Sequence, residues 1–128
     1  MLYMKFIVTE SKLDSIIDFF ISKELLGLKH KRVPNPNGLY NRDVWYDDND
    51  NEVIIILTLK KEYKDSKSRI TFGNSEVYLD DEIYGLIFNI FSMKTWEEIQ
   101  SHLLKWFEKH MNIKTDEIMT FDDNSYVY

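Results

Sequence analysis

The chain has no cysteine among its 128 residues, so disulfides, thiolate metal sites and cysteine nucleophiles are excluded. That absence fits a cytoplasmic setting. Long apolar runs are lacking as well. The most apolar stretch, residues 83–93, is about half of what a membrane span needs. Phe6-Ile7-Val8 is too short for a signal-peptide core, and Glu10 follows it closely. The expectation is a protein that neither crosses nor inserts into a membrane. Positive charge is in deficit: the formal net charge is −6, which disfavours nucleic acid as a partner and suits solubility or a basic protein. No G-x-S-x-G motif or glycine-rich phosphate cradle is present either.

What is there is enough for one core. Hydrophobic residues make up 44% of the chain and aromatics 15%, well above a disordered composition. At this length about two-thirds of the unfolded surface can be buried. One domain is expected over residues 1–119, followed by an acidic, aromatic tail over residues 120–128.

Local patterns give the elements. Lys5-Phe6-Ile7-Val8 reads as a short strand. Ser11 and Asp14 then open a helix whose apolar face is Leu13, Ile16, Ile17, Phe20 and Leu26, with Gly27 near its end. Residues 29–38 hold both prolines and an Asn-Gly pair, and read as a loop. Val44-Trp45-Tyr46 and the run Val53-Ile54-Ile55-Ile56-Leu57 flank an Asp/Asn cluster, which predicts a hairpin with Tyr46 near Glu52 and a central second strand. Residues 69–72 and 76–79 read as another hairpin around Gly73-Asn74-Ser75.

Asp80 or Asp81 starts a helix over 83–93 with Ile83, Leu86, Ile87, Ile90 and Phe91 as its core face. Thr95 and Glu98 form a capping box for a last helix with the stripe Trp96, Ile99, Leu103, Trp106, Phe107 and His110. The order β-α-β-β-β-β-α-α predicts an α+β fold, an antiparallel sheet of about four strands covered on one face by helices.

Candidate chemistry is sparse. Asp47, Asn49 and Asn51 match the opening of a calcium loop, but Glu52 stands at its glycine position and Thr58 at its bidentate glutamate. A hairpin turn uses the same residue types, so no metal site and no cofactor is expected. Glu62-Tyr63-Lys64 with Asp43 or Asp47 could compose a metal-dependent nuclease, although the predicted hairpin sets these carboxylates apart. Lys29, Lys31, Arg32 and Arg42, with His30 nearby, form a basic patch. His102 and His110 lie about 12 Å apart by helix rise, too far for one metal. In the tail, Phe121, Asp122, Asp123, Tyr126 and Tyr128 combine carboxylates with aromatic anchors and are the candidate partner-binding residues.

The opening Met4-Lys5-Phe6-Ile7-Val8-Thr9-Glu10-Ser11-Lys12-Leu13 resembles that of small uncharacterised proteins of tailed phages and environmental viral genomes, which begin M-K-[YFI]-I-[IV]-T-E-x-[QK]-[LY]. The aromatic-rich final helix around Trp96 is similar too. The resemblance implies a viral origin and carries over no activity and no site residue. The expected function is therefore that of a non-enzymatic viral accessory protein acting by protein–protein binding, for instance by inhibiting a host protein. The alternatives are a self-associating structural protein and a metal-dependent nuclease or phosphodiesterase using Asp43, Asp47, Glu62 and Lys64.

Overall fold

The apolar run after the acidic turn forms the centre of the molecule. A computed structural model describes residues 10–33, 38–60 and 75–122, with side chains of the first helix from Lys12 onward. In chain order the elements are α1 (Glu10–Leu25), β1 (Lys29–Val33), β2 (Tyr40–Tyr46), β3 (Glu52–Leu59), β4 (Ser75–Asp80), α2 (Asp81–Ile90), α3 (Trp96–Met111) and β5 (Ile118–Phe121). The described strands form one sheet in the order β1-β2-β3-β4-β5. β3 is its middle strand, and Val53 to Leu57 are all buried. Such a run suits a strand covered on both faces.

The class is α+β, as expected, but the strand number and order differ. The sheet is mixed: β1 to β4 pair antiparallel, while β5 runs parallel to β4. A parallel neighbour requires a crossover, supplied here by α2 and α3. Ile118 and Phe121 are buried, so the domain continues past residue 119. The expected boundary at residue 120 falls inside a strand, and Phe121 stands opposite Asp80.

The hairpin is as expected in register, with Tyr46 opposite Glu52 and Asp43 opposite Ile56. The segment after α1 is not. Lys29–Val33, expected as loop, is an edge strand paired with β2. The predicted strand at residues 5–8 and the first arm of the second hairpin, residues 69–72, lie outside the described residues.

Helices cover one sheet face. Ile54, Ile56, Val77, Leu79 and Ile118 meet Ile17, Ile21 and Leu25 of α1, Ile87 of α2, and Ile99, Leu103, Trp106 and Phe107 of α3 in one core. Val44, Ile55, Leu57 and Phe121 form a second cluster with Tyr40, Tyr46 and Tyr78; the pleat puts these residues on the other face. Thr95 caps α3, accepting from the Glu98 backbone N–H at 3.3 Å, and Asn112 ends it in the left-handed region.

Two helix faces differ from expectation. The buried stripe of α1 is Ile17, Ile21 and Leu25, and Leu13, Ile16 and Leu26 are exposed. In α2 only Ile87 is buried, whereas Leu86 and Ile90 are exposed. Both helices carry more apolar side chains than one contact face can use.

Candidate functional site

Three places bring chemistry-bearing side chains together: the β1–β2 edge, the α1–α3 seam, and the outer surface of α1 and α2.

At the β1–β2 edge, cross-strand register puts His30 opposite Trp45 and Arg32 opposite Asp43. Asp43 is 7% exposed. Its Oδ1 accepts from His30 Nε2 at 2.8 Å and from Arg32 Nε at 3.1 Å, and its Oδ2 accepts from Arg32 Nη2 at 2.9 Å. The imidazole stacks on Trp45 with ring centroids 4.4 Å apart. Burial pulls the Asp43 carboxyl up, but the hydrogen bonds and charges of Arg32 and His30 outweigh it and hold the group below its ordinary range. A metal at Asp43 would have to displace a bidentate guanidinium.

The pleat divides the basic patch. Lys29, Lys31 and Arg42 belong to one face by register, and Arg32 to the other with His30. Lys29 donates to Asp50 at 3.0 Å. Arg42 lies 3.4 Å from Glu52, and its Nε is buried without a hydrogen-bond partner. An open cavity of about 450 Å³ beside the edge is lined by Lys29, His30, Lys31, Tyr46 and Asp50. Most of these cations already have carboxylate partners, so no concentrated anion-binding potential results.

The acidic turn is closed by its own first residue. Asp47 Oδ1 accepts from the backbone N–H of Asn49 at 2.8 Å and of Asn51 at 2.9 Å, and Oδ2 accepts from Asn51 Nδ2 at 3.2 Å. Donation from Asn51 is the main reason why the Asp47 carboxyl is held below its ordinary range. Asp50 adopts a φ of 63°, a left-handed position that Asp tolerates in turns. Of the nuclease constellation, Glu62 and Lys64 lie outside the described residues, and Asp43 and Asp47 are occupied as above.

The α1–α3 seam contains serine, histidine and aspartate, yet not in catalytic order. His110 Nε2 lies 3.0 Å from Asp18 Oδ1 and 3.5 Å from Ser22 Oγ. A triad needs the two ring nitrogens to serve different partners; here one nitrogen faces both. Ser22 Oγ also accepts from Trp106 Nε1 at 2.9 Å. His102 sits 3.6 Å from Asp14, so each histidine of the chain pairs with an aspartate. A cavity of about 220 Å³ beside the seam is lined by Asp14, Asp18, His102, Lys105 and Lys109. No cluster of three or more His, Asp or Glu side chains suited to a metal ion occurs among the described residues.

The third region is apolar. On α1, Leu13 and Ile16 are exposed and Phe19 is 72% exposed, and in the turn after it Leu26 is 51% exposed; on α2, Leu86 is exposed and Ile90 is 51% exposed. Phe20 of α1 and Phe91, just after α2, meet edge to face at 5.5 Å. Sequence reasoning placed most of these residues in the core. The signal that could have separated them is the Ile17, Ile21, Leu25 spacing, which competes with Ile16 and Phe19 for the inward face.

Of the expected partner-binding residues, Phe121 is buried in the second core cluster and is not presented to a partner. Asp122 is exposed, and Asp123, Tyr126 and Tyr128 lie outside the described residues. Trp106 and Phe107 are core, whereas Trp96 is exposed. No helix among the described residues is long and apolar enough to cross a membrane. No protein-family model, curated protein or solved structure matches this chain.

Proposed function

We propose that this chain is a small accessory protein, viral in origin and acting in the host cytoplasm, that works by binding another protein and not by catalysis. The observation that carries this reading is the exposed apolar surface of α1 and α2. Large exposed apolar patches mark interaction sites in soluble proteins, and Phe19 leaves nearly three-quarters of its area in water. The polar clusters support the reading from the other side. Asp43, Asp47 and Asp18 are each satisfied by the protein's own donors, so none stands poised as a nucleophile or base.

The test replaces Phe19 and Ile90 by serine together and compares capture of interacting protein by the immobilised wild type and variant. The wild type is expected to retain a partner that the variant loses, with an unchanged melting temperature. Equal capture by both would overturn the reading.

A further inference from the structure

α1 separates its charges by face. Ile17, Ile21 and Leu25 belong to the core. On the opposite side of the helix, spaced three and four apart, stand Lys12, Ile16, Phe19 and Lys23, all exposed. Both lysines of the helix lie on this outward stripe, one at each end of its hydrocarbon. The carboxylates described on α1 are elsewhere. Asp14 and Asp18 face α3, where they meet His102, Lys109 and His110, and Glu24 shares the half-buried flank of Phe20. A chain of formal net charge −6 thus presents on α1 an apolar stripe whose described charges are all positive.

We propose that this stripe docks an acidic amphipathic helix of another protein, which packs on Ile16 and Phe19 and sets carboxylates against Lys12 and Lys23. The inference rests on the binding reading above and names the chemistry of the partner. Charge complementarity argues for that occupant. Whatever buries Ile16 and Phe19 also covers the lysines in line with them, and a covered ammonium group needs an anion. Residues 12–23 rise about 16 Å, so a helix lying along α1 at a shallow angle meets both lysines with carboxylates three turns apart. An anionic membrane fits less well. On a helix that lies in lipid the cations occupy the polar face, whereas Lys12 and Lys23 stand in line with the apolar residues. The net charge of the chain also opposes approach to an anionic bilayer. α1 packed on its own copy fits less well too, because aligning the two apolar centres sets lysine against lysine in either direction.

The experiment uses two synthetic helical peptides with the same apolar stripe, one with glutamates three turns apart beside it and the other with lysines there. Fluorescence anisotropy measures the binding of each to the full chain, and amide chemical shifts locate the contact. The glutamate peptide is expected to bind at α1 on the order of tenfold more tightly, since two exposed attractions become two repulsions in the other. Lys23→Glu should narrow that preference, and Lys12→Glu with Lys23→Glu should reverse it. Phe19→Ser should abolish binding of both peptides, and circular dichroism confirms that each variant is folded. Equal affinity for the two peptides, binding of neither, or a preference that survives the double charge reversal would overturn the acidic partner. Binding to phosphatidylserine vesicles and to neither peptide would assign the stripe to a membrane, and a dimer lost in Phe19→Ser would assign it to a second copy. If the acidic partner fails while Phe19→Ser/Ile90→Ser still loses capture of another protein, the binding reading stands without this chemistry; unaltered capture would overturn both.

Discussion

The β1–β2 edge and the α1–α2 surface are opposites. The edge is rich in charge by sequence, yet most of its charged groups are matched inside the molecule: Asp43 by Arg32 and His30, Lys29 by Asp50, and Asp47 by the turn it closes. The helical surface is apolar by sequence, and Ile16, Phe19, Leu86 and Ile90 stay exposed. Polarity therefore does not say which region works on the outside world. What remains unmatched after folding is the better guide, and on α1 and α2 it is hydrocarbon. The edge charges have a further use, because cations on a border strand discourage pairing with other sheets.

The largest expected effect tests the difference between buried and exposed apolar groups. Phe107 is fully buried in the core under the helices and makes an edge-to-face contact with Trp106 at 5.0 Å. Phe107→Ala should cost about 3–5 kcal/mol. Phe19→Ala should change stability by less than about 0.5 kcal/mol. Denaturant unfolding of both variants, measured at low protein concentration, is the check. Comparable losses would mean that α1 buries its outer side, and the contrast between the two regions would fail.

A smaller effect concerns a polar group that does belong to the core. Gln100 is buried, donates to the Ile118 carbonyl at 2.7 Å and accepts from the Ile118 N–H at 2.8 Å. It ties α3 to β5 through two backbone groups. Gln100→Leu strands both, at about 1–3 kcal/mol for each. Hydrogen exchange at Ile118 and Met119 should rise before exchange in β3 does. Protection unchanged at β5 would show that the parallel strand stands without the amide.

The edge itself comes next. Asp43→Asn removes the charge that Arg32 and His30 converge upon and should cost about 1–3 kcal/mol. Because the folded carboxyl titrates below its ordinary value, its contribution is fully present above the unfolded pKa of about 3.9 and is lost as pH falls through the folded value. Acid unfolding of the wild type should therefore include a component below about pH 4 that the variant lacks. Identical acid profiles would show that the edge is not held by this carboxylate.

How much of this was legible follows the range of the interactions. The β2–β3 hairpin could be read to its register, because turn residues and an unbroken apolar run are local signals. The α3 cap at Thr95 was equally local. β1 was not legible: Lys29-His30-Lys31-Arg32 is a strand only because β2 presents Asp43 and Trp45 across from it. β5 is short and is held by β4 and Gln100, both distant in sequence. The α1–α2 surface was misplaced for a related reason. Apolar spacing reports that a helix has a hydrophobic side, but which of two overlapping stripes turns inward depends on the sheet beneath it.

The smallest expected effect is none, and it decides whether the edge is structure or site. Asp47, Asn49 and Asn51 look like the start of a calcium loop, and a bound cation there would make the β1–β2 region functional. The geometry gives the carboxylate other work. Both Asp47 oxygens accept hydrogen bonds within the turn, so a cation would have to break the contacts that hold the hairpin closed. It would also find no bidentate glutamate, since Thr58 stands at that position and lies near Ser75 at 3.4 Å. Binding at 100 times the dissociation constant would stabilise the protein by about 2.7 kcal/mol, which is several degrees in a domain of this size. Millimolar calcium or magnesium should instead leave the melting temperature where it is, in the wild type and in Asp47→Asn alike. A rise with either cation that Asp47→Asn abolishes would make the sheet edge a cation site.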